Sequence, residues 1–186
     1  MSSITLSKVQ VELPIFETIW TEKLDEFKQI ILDYKKENPD TIKDSNVNAN
    51  WRSAWNLHGI DGRFTPIAKY IQDFAQAIGN QYFYTNGDYE IVNLWAMDYG
   101  SNEGTKFHSH FPSALSVIFY IDVEDNSAPI CFGDACRNVE NGMILGFDAS
   151  LPHWVPDDFE GRRIVISANL DLSLIHISEP TRQWSI

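Results

Sequence analysis

The chain has 186 residues, enough for one domain with a sizeable core, and its 44% hydrophobic and 22% charged content is ordinary for a globular protein. A formal net charge of −12 and a pI of about 4.7 work against binding to phosphate backbones, so nucleic acid is not an expected partner. The N-terminal residues lack a secretory signal, and no apolar run approaches the roughly 20 residues that cross a bilayer. We expect a cytoplasmic protein without a membrane segment.

Two amphipathic helices are predicted in the N-terminal half, after an edge strand within residues 5–16. The first helix covers residues 21–36, with apolar side chains at helical spacing and lysines at its end. The second has Thr65 as its N-cap, Pro66 at its first helical position and Gly79 just beyond its end. Both helices are expected to cover one face of a sheet.

Residues 37–63 are rich in Asn, Asp, Ser and Gly and are predicted to form a long irregular connection, which at this length is more often functional than decorative. The hydrophobic period then changes to two, with strands expected at residues 89–97, 106–122, 128–132, 142–147 and 163–170. Short strands separated by Gly, Asn and Asp turns predict a mainly β fold with flanking helices, either a sandwich or a jelly roll.

The two cysteines, Cys131 and Cys136, lie five residues apart. This spacing is neither a Cys-x-x-Cys motif nor a recognisable disulfide framework. We therefore expect two buried or half-buried free thiols, as is usual in a reducing cytosol.

The C-terminal segment resembles a sequence that does not belong to a natural protein. Residues 172–182 read as the in-frame translation of a transposase-type sequencing adapter. We therefore expect residues 172–186 to be a non-native tail, assign no role to His176, and expect a single domain over residues 1–171.

Three histidines and one arginine are the candidate site. His108 and His110 fall on one predicted strand, where residues two apart point to the same face, so together they form half of a metal site. His153 follows a strand end 43 residues after His110 and is the third candidate ligand. Arg163 opens an apolar strand, where an unpaired charge is costly and a small carboxylate ligand would satisfy it. If the strand is offset by one residue from this prediction, the neighbouring Arg162 would bind the carboxylate instead.

The order of these features resembles that of the Fe(II)- and 2-oxoglutarate-dependent oxygenase superfamily, in particular oxygenases common in phage and marine bacterial genomes. The resemblance covers about residues 90–170. It is carried by Asn93-Leu94-Trp95-Ala96, by His108-x-His110-x-Pro112, by Gly142 to His153, and by Arg163 with its Ile-x-Ile-Ser-x-Asn continuation.

The resemblance implies a double-stranded β-helix (jelly roll) with Fe(II) at its open end, held by His108 and His153. Arg163 would hold the remote carboxylate of 2-oxoglutarate, and Tyr99 matches a position that often hydrogen-bonds this co-substrate, although it fits a core position equally well. The implied activity is hydroxylation of a small molecule or a peptide side chain with O₂, coupled to decarboxylation of 2-oxoglutarate to succinate. A phage-encoded enzyme of this kind would act in the host cytoplasm.

The sequence departs from the family pattern at His110, where the family usually has Asp or Glu. Either His110 ligates the metal directly in a three-histidine site, or it contacts the ligands without binding the metal. In the second case the third ligand is a water or a carboxylate such as Asp148. We expect direct ligation, because the spacing puts His110 where the acid would be. All of His108, His110 and His153 are then catalytic metal ligands.

Two alternatives use the same histidines. Three imidazoles and a water also make a catalytic zinc site, as in a hydrolase or lyase, but that scheme gives Arg163 no role. A cupin-like binding protein is the second alternative; the glutamate that cupins carry shortly after the first histidine pair is replaced here by Ala114 and Leu115. Substrate selection is expected in the loops at residues 37–63 and 98–106.

Overall fold

The computed structural model describes residues 12–83 and 88–173. The α-helices of this part are α1 (Leu24–Glu37), α2 (Leu57–Ile60) and α3 (Thr65–Ile78), with a 3-10 turn at Gly62–Phe64 and a π turn at Gly79–Phe83. The strands are β1 (Ile15–Ile19), β2 (Val47–Asn48), β3 (Trp51–Arg52), β4 (Asp88–Tyr99), β5 (Gly104–His108), β6 (Leu115–Val123), β7 (Ile130–Phe132), β8 (Ala135–Arg137), β9 (Met143–Asp148), β10 (His153–Val155) and β11 (Arg163–Ser173). None of these helices has the length and apolar character needed to span a membrane.

Two antiparallel sheets form the body of the protein. The larger has the order β1-β9-β6-β11-β4-β3 and the smaller the order β2-β5-β10-β7-β8. Trp95, Tyr120, Phe147 and Val165 of the larger sheet and Ile130 of the smaller belong to one buried cluster. This mainly β architecture with N-terminal helices on one sheet confirms the predicted jelly roll.

Helices α1 and α3 cover the outer face of the larger sheet, as predicted. Phe27 and Ile31 of α1 and Ile71 of α3 are fully buried and share one hydrophobic cluster with Ile164 and Ile166 of β11. Side chains alternate across a strand, so Val165, between these two isoleucines, faces the other sheet. Burial on both faces explains why β11 reads as a nearly continuous apolar run.

Several boundaries differ from the predictions. Thr65 is the first residue of α3 rather than its cap, and Gly79 keeps a helical φ of −55° and continues into the π turn instead of ending the helix. The predicted edge strand is present as β1, at the edge of the larger sheet, but it occupies residues 15–19; residues 5–11 lie outside the described part. The expected non-native tail lies outside it from residue 174, and its first two residues end β11.

The prediction of one long histidine strand over residues 106–122 is wrong. The segment forms β5 in the smaller sheet and β6 in the larger, joined by a turn in which Ser113 N donates to His110 O. Pro112 has no N–H to give to a ladder, which favours the break at this point. His108 therefore ends β5, and His110 stands beyond it.

The prediction of two free thiols is also wrong, because Cys131 and Cys136 form a disulfide. The two cysteines are direct partners across the β7–β8 hairpin, and their Cα atoms are 4.0 Å apart. Spacing along the chain did not reveal this pairing, since it depends on a tight hairpin that places the two residues opposite each other.

Candidate active site

A cavity of about 180 Å³ lies between the two sheets. Its walls come from β4, β6 and β11 of the larger sheet, from β5 and β10 of the smaller, and from the irregular segment that precedes α2. The predicted site residues His108, His110, His153, Arg163 and Tyr99 all line it. The fold thus brings together five side chains spread over 65 positions of sequence, from 99 to 163.

The three histidines form one cluster. His108 and His153 are direct partners across β5 and β10, with ring centroids 4.4 Å apart. His110 reaches the same place from the turn, because its backbone N–H donates to Ala149 O at 2.7 Å. Its ring lies 4.8 Å from that of His108 and 5.1 Å from that of His153. One potential ligand atom from each residue falls within 4.8 Å of the others, which suits a single metal ion.

Backbone carbonyls orient two of these imidazoles. His108 Nδ1 lies 2.7 Å from Lys106 O, and His153 Nδ1 lies 3.1 Å from Leu151 O. A protonated Nδ1 that donates to a carbonyl leaves the lone pair on Nε2, which is the usual arrangement of a metal-bound histidine. Both rings therefore offer Nε2 as a ligand atom.

Burial lowers the pKa of two of the three histidines. It lowers the pKa of His110 to about 3, with the neighbouring His153 and His108 acting in the same direction. Burial and the neighbouring His108 lower the pKa of His153 to about 4, although the Leu151 carbonyl opposes the shift. Neutral imidazoles are the form that ligates a metal.

His110 has contacts beyond the cluster. Its Nδ1 lies 3.4 Å from the side-chain amide of Asn169, whose oxygen accepts from Ser116 Oγ at 3.0 Å, and its ring lies 5.7 Å from that of Trp95. Asp148, the alternative third ligand, instead accepts hydrogen bonds from the backbone and hydroxyl of Ser150. The potential ligands that converge within the described residues are all imidazoles.

Arg163 is 2% exposed and faces the cavity. Its Nη1 donates to Ala128 O, its Cζ lies 4.6 Å from the centroid of the Tyr99 ring, and its Nε has no acceptor among the described residues. The Tyr99 hydroxyl shares a 2.7 Å hydrogen bond with Thr105 Oγ1, and burial raises the Tyr99 pKa. A buried guanidinium with unused donors is suited to an anionic ligand.

Arg162, the alternative at this position, has a different environment. Its Nε and Nη2 each donate to a carboxylate oxygen of Asp98 at 2.8 Å, and it does not line the cavity. Its guanidinium fork is therefore already occupied by a protein carboxylate. The sequence alone did not decide whether Arg162 or Arg163 would reach an anionic ligand. In the structure only Arg163 of these two lines the cavity.

Two features of the site were missed from the sequence. Arg52, on β3, lines the cavity, is 2% exposed and lies against Trp55. Its place in Trp51-Arg52-x-x-Trp55 was the available signal, since arginine stacks on aromatic rings. Asn169 was noted only as part of the resemblance, without a role. His58, on α2, is half-buried, and burial lowers its pKa.

Comparisons with known proteins give matches at the level of structure only. No family model and no curated sequence matches the chain. A viral collagen prolyl hydroxylase from Paramecium Bursaria Chlorella virus-1, solved with 2-oxoglutarate, is similar with a TM-score of 0.63 and 13% identity, covering 84% of this chain and 94% of that one. HygX from Streptomyces hygroscopicus, with nickel and 2-oxoglutarate bound, is similar with a TM-score of 0.63 and 10% identity. The match covers 87% of this chain and 83% of that one.

A third similar structure is a prolyl hydroxylase from Trichoplax adhaerens, in complex with a peptide fragment of hypoxia inducible factor. Its TM-score is 0.62 at 12% identity, and the match covers 84% of this chain and 83% of that one. The chain has the jelly-roll fold of 2-oxoglutarate-dependent oxygenases. At such low identity the similarity describes the fold, and the chemistry has to be argued from the site.

Proposed function

We propose that the protein is an Fe(II)- and 2-oxoglutarate-dependent oxygenase that hydroxylates a small molecule or a peptide side chain. The observation that carries the proposal is the meeting of three imidazoles with the buried, incompletely paired Arg163 in one small cavity. A metal site by itself fits many enzymes. A metal site with a buried cation in the same cavity fits a metal that works with a carboxylate co-substrate.

His108, His110 and His153 would hold the iron. Imidazole is a good ligand for Fe(II), and the orientation of His108 and His153 by backbone carbonyls fixes two ligand atoms before the metal arrives. Three protein ligands leave open positions for co-substrate and O₂. Bound Fe(II) with 2-oxoglutarate would supply the activation of O₂ and the release of succinate.

Arg163 would bind the remote carboxylate of 2-oxoglutarate through its free N–H groups. The Tyr99 ring below the guanidinium and the Ala128 carbonyl fix its position, so little side-chain entropy remains to be lost on binding. Tyr99 would act mainly as this support, since its hydroxyl is already paired with Thr105. The buried setting strengthens the attraction to the carboxylate.

An anaerobic titration tests the proposal. Metal-free protein receives Fe(II) and then 2-oxoglutarate, and the visible metal-to-ligand charge-transfer band is recorded; succinate is then measured after admission of air. We expect a saturable band and slow succinate formation. Absence of both, with the metal bound, would contradict an oxygenase.

A zinc enzyme is the second candidate, because the ligand set itself favours it: three imidazoles and a water form a typical catalytic zinc site. That enzyme would retain zinc against a chelator and would hydrolyse an ester or hydrate a carbonyl without 2-oxoglutarate. Retention of zinc combined with no charge-transfer band would select this candidate. The proposal ranks below the oxygenase because it leaves Arg163 without a role.

A further inference from the structure

Arg52 on β3 is a second buried guanidinium in the cavity, and the proposed function does not use it. It is 2% exposed, and none of its Nε, Nη1 and Nη2 atoms has a hydrogen-bond acceptor among the described residues. Its nearest carboxylate is that of Asp44, whose Oδ2 lies 3.7 Å from Nη2, beyond hydrogen-bond range. A charge buried in this way is expensive unless a ligand pairs with it.

Arginines elsewhere in the described chain show the usual solution. Arg63 forms paired hydrogen bonds with both Glu37 and Asp61, and Arg162 forms a pair with Asp98. The protein therefore supplies carboxylates to arginines outside the cavity. Arg52 and Arg163, which line it, have no such bidentate partner.

Aromatic rings hold Arg52 in place. Its Cζ lies 3.8 Å from the centroid of the Trp55 ring and 5.9 Å from that of Trp95. Stacking occupies the face of a guanidinium and leaves its N–H edge available for a planar acceptor. The Trp95 ring in turn lies 5.7 Å from the His110 ring, so Trp95 stands between Arg52 and the histidine cluster. Arg163 stacks on a different ring, that of Tyr99.

The charges in the cavity point to an anion in addition to the co-substrate. The formally charged side chains of the lining are Arg52, Arg163 and Asp44. Their net charge is one positive charge. Within the proposed function a divalent metal and doubly charged 2-oxoglutarate cancel each other. Three imidazoles add no negative charge, so the cavity as a whole keeps one unbalanced positive charge. Asp44 lies within ion-pair distance of Arg52 but forms no hydrogen bond with its N–H groups.

From these observations we infer that Arg52 is a substrate-binding residue and that the substrate carries a carboxylate. The identification of this ligand as substrate rests on the proposed function; the carboxylate site itself does not. The planar N–H edge of Arg52 receives the carboxylate in a bidentate pair. Trp55, which is 38% exposed, stands beside it as a wall of the site.

Carboxylate binding is tested on metal-free protein by tryptophan fluorescence, since Trp55 lies directly against the guanidinium. The probes are acetate, butyrate and benzoate, each matched with its neutral amide, and methylphosphonate. The variants are Arg52→Met, which keeps an apolar stem over Trp55, Arg163→Gln, and Arg162→Met as a control outside the cavity. We expect saturable carboxylate binding in the wild type, in Arg162→Met and in Arg163→Gln, and at least tenfold weaker binding in Arg52→Met.

Three results would overturn the inference: no saturable response to any carboxylate, equal binding of carboxylates and amides, or unchanged binding in Arg52→Met. A preference for methylphosphonate over every carboxylate would overturn the choice of substrate class. Asp44→Asn gives an independent check, because removing the nearby competing carboxylate should strengthen binding severalfold. Weaker binding in that variant would count against the inference.

A second measurement separates Arg52 from the co-substrate. In the anaerobic Fe(II) titration, Arg52→Met should keep the 2-oxoglutarate charge-transfer band with an affinity within about threefold of the wild type. Loss of the band in Arg52→Met alone would assign Arg52 to 2-oxoglutarate and overturn its role toward substrate. A wild type that shows no band but binds carboxylates through Arg52 would remove the oxygenase proposal and leave the carboxylate site standing.

Discussion

Two adjacent arginines at the start of β11 have opposite environments. Arg163 enters the cavity, and Arg162 pairs with Asp98 on the other side of the strand. The reason is the two-residue period of an extended chain, which sends successive side chains to opposite faces. The sequence predicted that one arginine near this point would serve an anionic ligand, and only the packing of β11 between β4 and β6 decided which of the two faces the cavity.

We predict that Arg163→Gln weakens 2-oxoglutarate binding by about ten- to a hundredfold, the range expected for losing a charge-assisted hydrogen-bond pair. Metal content should stay nearly unchanged, since Arg163 is not part of the histidine cluster. The measurement is the anaerobic Fe(II) titration with metal analysis. Arg162→Gln is the matched control and should keep wild-type affinity; equal loss in the two variants would contradict the assignment.

Asn169 is predicted to set the orientation of His110. In the structure the Asn169 amide nitrogen faces His110 Nδ1, and the amide oxygen accepts from Ser116 Oγ. We expect metal binding to favour the flipped amide, in which the oxygen accepts the Nδ1 proton, His110 Nε2 is free for the metal, and the Ser116 hydroxyl accepts from the amide nitrogen. Asn169→Ala should lower metal affinity about tenfold, while Asn169→Asp, a stronger acceptor, should retain it. Competition with a chromophoric chelator measures the metal affinity of each variant. Identical affinities in the wild type, Asn169→Ala and Asn169→Asp would contradict a role of Asn169 in orienting His110.

At the scale of elements, the junction of β5 and β10 assembles the candidate metal site. This pairing places His108 opposite His153, and the adjoining turn adds His110. Gly104 makes the approach possible, because a Cβ at that position would come within 2.4 Å of Val155 O and 2.9 Å of Pro156 O. Both neighbours are backbone atoms and cannot rotate away.

Gly104→Ala should therefore push β5 from β10, lower metal affinity at least tenfold, and cost about 2 kcal/mol of unfolding free energy. Gly100→Ala is the matched control in the same loop, where the added Cβ meets the Glu103 carboxylate at an ordinary 3.5 Å. Zinc titration and denaturant unfolding measure the two effects. If Gly104→Ala binds zinc like the control, the junction does not determine the site.

At the scale of the whole molecule, Asp98 joins three elements. It is 1% exposed on β4, accepts from Lys35 at the end of α1 at 2.6 Å, and accepts twice from Arg162 beside β11. Burial raises the Asp98 pKa, but the hydrogen bonds from Arg162 and Lys35 outweigh burial, and the net pKa is lowered. The helix layer is thereby fixed to the sheet that carries Arg163.

We predict a specific pH dependence of unfolding from this cluster. A carboxylate with a lowered folded pKa stabilises the protein above its unfolded pKa of about 3.9 and loses that contribution as the pH falls toward the folded value. Asp98→Asn should cost about 2 kcal/mol at neutral pH, because Lys35 and Arg162 are partly exposed and can turn to water. It should also flatten the stability profile below about pH 4.

Denaturant unfolding across the pH range measures this dependence. Asp73→Asn, which breaks the exposed pair between Lys69 and Asp73, is the control and should leave both stability and profile nearly unchanged. Equal effects of the two substitutions would show that the buried cluster has no special part in stability.

The sequence by itself determined the class of fold, both long helices, most strands and all three candidate metal ligands, because hydrophobic period and residue chemistry are local properties. Tertiary structure decided the rest. The meeting of His110 with His108 and His153 and the placement of Arg52 depend on which segments pack together across the sheets. The Cys131–Cys136 disulfide depends on the geometry of the β7–β8 hairpin. The predicted strand would have aligned the two histidines by period, whereas the fold aligns them by a turn packed against Ala149. Contacts between distant segments depend on the packing of the whole chain, and no local pattern encodes them.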